Sequence, residues 1–131
     1  DKFEEYSKKG LERFPKNEVL LYNLAVISIK NNQNQLAKDY LNKILLLNKN
    51  HFDALRELGN LELQKDADIT NKINALPNTT ASNKTRNELM LQKKQVYTNS
   101  LDYYEKAKAI NSKDESLNEL ITQIKDFLKN N

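Results

Sequence analysis

The sequence predicts an all-α fold, a solenoid of stacked antiparallel helix pairs with about six helices. Three observations predict it. First, breakers are scarce: 131 residues contain two Gly and two Pro, too few for many short strands joined by tight turns. Second, apolar residues recur at helical spacing between Asn-rich breaks. Third, the chain matches itself when shifted by 34 positions: Tyr6 falls on Tyr40, Leu11 on Leu45, Leu24 on Leu58, and Ala25 on the equally small Gly59. A fixed period of this length marks a repeat architecture, in which one helix pair cannot bury its apolar face alone.

Taken in order, the first helix covers about 2–13 and ends before Pro15. The second covers about 17–31, with a wide apolar face made by Leu20, Leu21, Leu24 and Ile27. The third covers about 34–47, where Leu36, Ala37, Tyr40, Leu41 and Ile44 keep helical spacing. The fourth starts near Phe52 and runs on through Ala67, Ile69 and Ile73 to Leu76, and Pro77 with 78–83 forms a loop. The fifth runs from about Lys84 through Leu89, Val96 and Tyr104 to Ile110. The sixth, about 114–129, aligns Leu117, Leu120, Ile121, Ile124 and Leu128 on one face. Asp114 near its start and Lys125 and Lys129 near its end suit the helix dipole, and it reads as a solvating cap.

A short signature, acidic-Tyr-x-x-Lys, ties three segments together: Glu5-Tyr6, Asp39-Tyr40 and Asp102-Tyr103, each with Lys four positions after the acid, at Lys9, Lys43 and Lys106. Between the last two copies the offset is 63 rather than 34. Part of the surplus is loop. The remainder lengthens two helical arms by roughly 11 residues each, about 16 Å at the α-helical rise, and predicts a protruding hairpin at about 69–97. Ile69, Ile73 and Leu76 on one arm then face Leu89, the Lys93 stem and Val96 on the other. Met90, Leu91 and Tyr97 either pack within the hairpin or onto the last helix, or form an exposed apolar patch.

The pattern resembles the tetratricopeptide repeat (TPR) family, whose unit is a pair of antiparallel helices, A and B. In the copy at 18–51, Leu21 stands at the large helix-A position, Leu24 and Ala25 at the Leu-Gly pair, Ala37 at the small helix-B position and Leu41 at the aromatic one. Ile44 replaces the second helix-B Ala, and Lys49 replaces the closing Pro. In the next copy Leu55, Leu58 and Gly59 match helix A, and Ser100, Tyr104 and Ala107 match helix B. The first copy holds only helix B, with Gly10 and Pro15 in place. The resemblance implies one domain over 1–131: a truncated repeat at 1–17, a repeat at 18–51, an extended repeat at 52–112 and a capping helix at 113–131. With its extended hairpin before Tyr103-Tyr104-Glu105-Lys106-Ala107, the chain resembles a bacterial group of TPR proteins. That implies a bacterial scaffold protein in the cell envelope or periplasm, or else in the cytoplasm.

Composition narrows the function. The net charge is +3 from 21 basic and 18 acidic residues, but the signs are interspersed and Arg occurs only at Arg13, Arg56 and Arg86. A nucleic-acid surface clusters its cations, so RNA binding is the secondary reading. With no cysteine, disulfides, thiolate metal sites and thiol catalysis are excluded. No apolar run approaches the roughly 20 residues of a membrane span. The opening at Asp1, without an initiator Met or a signal peptide, reads as a mature or excised fragment.

Catalytic chemistry finds little material. The single His51 lies at a helix–helix turn and reads as a capping residue. Gly10 and Gly59 are isolated within helices rather than in a phosphate loop. Pairs such as Asp66 and Asp68 read as solvated faces. Asn78-Thr79-Thr80 and Asn83-Lys84-Thr85 read as chance sequons in a polar loop. The expectation is a non-catalytic module with no cofactor and no metal.

The TPR resemblance implies a concave groove walled by the A helices. Mapped onto this sequence, the groove takes Tyr22, Asn23, Val26, Ile29 and Lys30 from one helix, and Asp53, Arg56, Glu57, Asn60, Leu63 and Gln64 from the next. Asn23 and Asn60 could hold a peptide backbone, and Arg56 a carboxylate, unless Arg56 simply pairs with Asp53 or Glu57. Tyr22 and Val26 stand where a chaperone-tail carboxylate clamp needs other residues. The expected partner is a protein or peptide, with self-association through the open N-terminal end as a further contact.

Overall fold

A computed structural model describes residues 1–131. It contains only helices: α1 (Lys2–Arg13), α2 (Glu18–Lys30), α3 (Asn34–Leu47), α4 (Phe52–Leu63), α5 (Lys65–Ala75), a 3-10 turn at Thr80–Ser82, α6 (Asn83–Ile110) and α7 (Glu115–Asn130). The predicted fourth helix is interrupted once, at Gln64. That residue keeps right-handed helical angles, φ −57° and ψ −27°, and its N–H still donates to Asn60 at 3.0 Å. None of the helices is long and apolar enough to cross a membrane.

Local chemistry explains the boundaries. Asn17 caps α2 by accepting from the Leu20 N–H, and Asp114 caps α7 by accepting from Leu117. His51 does the same for α4: its Nδ1 accepts from the Ala54 N–H at 3.0 Å, a capping role with the neutral ring as acceptor. At the end of α2 the chain reverses through Asn32, whose φ is +58°. There Gln33 N–H donates to Ser28 and Asn32 N–H to Ile29, the paired bonds of a Schellman ending.

The helices form two compact units, residues 1–58 and 59–131. In the first, α2 packs against α1 and α3. Its core is Leu21, Leu24, Ala25, Ile27, Ala37, Leu41 and Ile44, with Ala54, Leu55 and Leu58 from the first part of α4, all buried. Asn48, after α3, bonds Glu18 at the start of α2 at 3.1 Å, so the two helices run antiparallel.

In the second unit α6 packs against α5 and α7. Tyr104, Ala107, Leu117, Ile121 and Ile124 are its buried centre. The buried Ser100 hydroxyl donates to the Gly59 carbonyl at 2.9 Å, and a Cβ on Gly59 would overlap the Tyr104 ring. Small residues here let helices approach until only hydrogen bonds and ring faces fit between them. The hairpin register is fixed by Lys93 on Thr70 at 3.0 Å and Tyr97 on Asp66 at 2.9 Å: four residues back in α5 are four forward in α6.

Candidate functional site

One stripe of α2 carries the first half of the expected groove. Tyr22 and Asn23 lie four and three residues before Val26, and Lys30 four after it, so they share a face. The buried row Leu21, Leu24, Ala25 and Ser28 occupies the opposite face. Tyr22, Asn23 and Val26 are half-buried and Lys30 is exposed. Together with Asp1 and Phe3 at the start of the chain, Ile27 and Asn31, these four residues line a cleft of about 380 Å³.

Val19, one turn before Tyr22, continues the stripe at 68% exposure. It was missed in the sequence although its spacing to Tyr22 and Asn23 is the signal that would have found it. Phe3 carried no such signal, because only the packing of α1 on α2 makes it a wall of the cleft.

Asp53, Arg56 and Glu57 begin α4 and gather around Tyr22. Arg56 Nη2 meets Asp53 Oδ1 at 3.2 Å, its guanidinium lies 5.3 Å from the Phe52 ring centre, and it hydrogen-bonds the Tyr22 hydroxyl. The His51 ring is 5.9 Å from the Tyr22 ring. Burial pushes the Tyr22 hydroxyl pKa above its ordinary value; the carboxylates of Glu57 and Asp53 push in the same direction, and Arg56 opposes them. Arg56 is thus already shared among an acid, a ring and a hydroxyl, the pairing with Asp53 that the sequence offered as its alternative. Glu57 is half-buried and has no cation partner.

Asn60 and Gln64 belong to the second unit. The Tyr104 hydroxyl donates to Asn60 Oδ1, which fixes the amide and leaves its NH₂ as the outward donor. Gln64 occupies the break between α4 and α5.

The hairpin offers little as an apolar surface. Ile69 and Val96 are buried, while Ile73, Leu76, Leu89 and Met90 are half-buried. Tyr97 is used internally: its ring lies 4.4 Å from that of Phe127 on α7, and its hydroxyl binds Asp66. Of the residues expected either to pack or to form a patch, Leu91 stays largely exposed.

No family model matches the chain. Over 65 residues it is 37% identical to the sol locus transcriptional repressor of Clostridium acetobutylicum. The matched stretch is 50% of this chain but 20% of that protein, so the chain spans about a fifth of the length of the curated relative to which it is similar.

Proposed function

We propose that this chain is a TPR-type helical repeat that binds a peptide segment of a partner protein along α2 and catalyses no reaction. The observation that carries this reading is the cleft: Tyr22, Asn23, Val26 and Lys30, chosen from spacing and resemblance, line one concavity. Its mixture of apolar wall and amide suits an extended peptide, whose backbone needs donors and acceptors while its side chains need contact area. The residues at the small positions that the TPR resemblance implies, Ala25, Ala37 and Ala107, are fully buried, as close helix packing in such repeats requires. The solenoid arrangement, the protruding hairpin and a scaffold role in a bacterial cell belong to the same proposal.

The charge pattern supports a protein partner over RNA. Lys8, Lys9, Lys65, Lys72 and Lys106 each pair with an acid three or four residues away on the same helix, so those cations are neutralised locally and offer no continuous track for phosphates. The relative's name speaks of transcriptional repression. From it we take only that a stretch like this one can form part of a longer protein.

The test is affinity capture from a cell extract with the chain and with an Asn23→Ala/Val26→Asp variant, both positions lying off the buried core. The variant is expected to retain at least about tenfold less of a specific protein. Equal capture by both would remove the α2 cleft as the site, and nuclease-sensitive capture would favour RNA.

A further inference from the structure

Two rings, Phe3 and Tyr22, line the α2 cleft together with Val26, and Tyr22 is held in place before any partner arrives. Its hydroxyl is hydrogen-bonded by Arg56, which is itself fixed by Asp53 at 3.2 Å and lies 5.3 Å from the Phe52 ring centre. The His51 ring stands 5.9 Å from that of Tyr22. A side chain already ordered by folding loses little further freedom on binding. Phe3 is anchored through its backbone, whose N–H donates to the Asp1 carboxylate at 2.8 Å, yet the residue is 54% exposed. Half of a large apolar residue therefore lies bare in a concavity. The charges of the lining are Asp1 and Lys30, one of each sign. An acid drawn to Lys30 meets Asp1 in the same cavity, and a base drawn to Asp1 meets Lys30, so a charged occupant loses water without a matched partner.

We infer that the partner segment anchors itself with one uncharged aromatic side chain, Phe, Tyr or Trp, seated in the α2 cleft against Phe3, Tyr22 and Val26. This rests on the peptide-binding reading and adds the chemistry of the occupant. The cleft is large enough: it measures about 380 Å³, whereas a cavity of about 150 Å³ already holds a benzene ring. An aliphatic side chain would gain from buried area alone. An aromatic one adds offset or edge-to-face contact with two rings and brings a large apolar area on few rotatable bonds. Arg also stacks on rings, but Lys30 in the same lining repels it. Asn23 and Asn31 line the cleft too, each with an amide that both donates and accepts, and so supply the backbone contacts beside the anchor.

The experiment is selection of a displayed random decapeptide library on the full chain, repeated on Phe3→Ser, Val26→Ser and Asn23→Ala, each first shown by thermal melting to fold like the parent. Phe3 and Val26 lie on different helices, so one of the two seat variants serves if the other melts early. Selected peptides are expected to share a position enriched about tenfold in Phe, Tyr or Trp. Phe3→Ser and Val26→Ser are each expected to abolish that enrichment while still selecting peptides. Peptides that depend on Asn23 but share an aliphatic, Lys or Arg position instead would overturn this inference and leave the groove reading standing, as would aromatic enrichment that survives both seat variants. A library from which nothing is selected would overturn both.

Discussion

The two compact units hold helix pairs together by different means. In residues 1–58 the contact between helices is apolar: Leu21, Leu24 and Ala25 meet Ala37, Leu41 and Ile44, all buried. Charged pairs there, such as Lys9 with Glu5, lie in solvent. In residues 59–131 the hairpin arms of α5 and α6 bury Ile69 and Val96 but add a polar network. Lys93 lies 3.4 Å from Asp66 with its side chain 16% exposed, donates to Thr70, and sits 5.3 Å from the Phe127 ring centre. Ile69 and Val96 are the buried apolar residues along these two arms, too few for apolar contact alone to hold one register. Directional bonds from Asp66 to Lys93 and Tyr97 fix one register, a role that buried polar pairs can fill even when they add little net stability.

The largest expected effect separates the two glycines. A Cβ on Gly59 meets the Tyr104 ring, 2.6 Å from Cδ1. That ring is fully buried and cannot yield, so Gly59→Ala should cost about 3 kcal/mol. A Cβ on Gly10 meets Leu20 Cδ1 at 2.8 Å, the end of a flexible side chain on a half-buried residue. There the helix propensity gained, about 1 kcal/mol, offsets the shift, and Gly10→Ala should change stability by less than about 1 kcal/mol. Urea unfolding of both variants measures the contrast, and equal costs would refute it.

Next is the hairpin network. Asp66→Ala removes the acceptor of Tyr97 and Thr70 and the partner of Lys93, and should cost about 2 kcal/mol, with Lys93→Met costing about 1 kcal/mol. The double variant should lose less than the sum, because each single change leaves a group unpaired. Strict additivity in the double-mutant cycle would mean that the network does not act as a unit.

Smaller still, Asn32→Ala should cost about 1 kcal/mol, since Ala at φ +58° is strained, whereas Asn32→Gly should stay within a few tenths. The same thermal melts that rank these two variants would expose a right-handed Asn32 by showing no difference.

The last effect is silent at neutral pH. Burial first, then the hydrogen bond and charge of Asp66, raise the Tyr97 hydroxyl from 10.0 to about 12. Its neutral form is therefore favoured by folding. That stability is fully present below pH 10 and is lost as pH climbs toward about 12, because the unfolded chain releases the proton first. Tyr97→Phe should flatten the stability curve over this window, and an unchanged alkaline slope would sink the assignment.

Much of the fold was legible because it depends on local pattern. The helix ends follow from caps such as Asn17 and Asp114 and from breaks such as Pro15, so boundaries fell within a residue or two. Ala25, Ala37 and Ala107 are fully buried, as the TPR resemblance implied for the small positions of the repeat. The interruption at Gln64 was not legible, since its angles remain helical and no Gly or Pro marks it. Of the candidate site, the α2 stripe was readable from spacing, apart from Val19. The sharing of Arg56 among Asp53, Phe52 and Tyr22 was not, because a side chain's choice among several partners depends on distances that no spacing encodes.

The sequence by itself determined that the chain is all helical, where the helices begin and end, and which faces are buried. Those properties rest on backbone hydrogen bonding and on a period of 3.6, both local to a segment. Only the tertiary structure decided that Phe3 walls the α2 cleft, that Tyr97 turns inward to Asp66 and Phe127, and that Glu57 keeps no cation. Each of these is a competition between side chains far apart in sequence, settled by the few ångströms between packed helices.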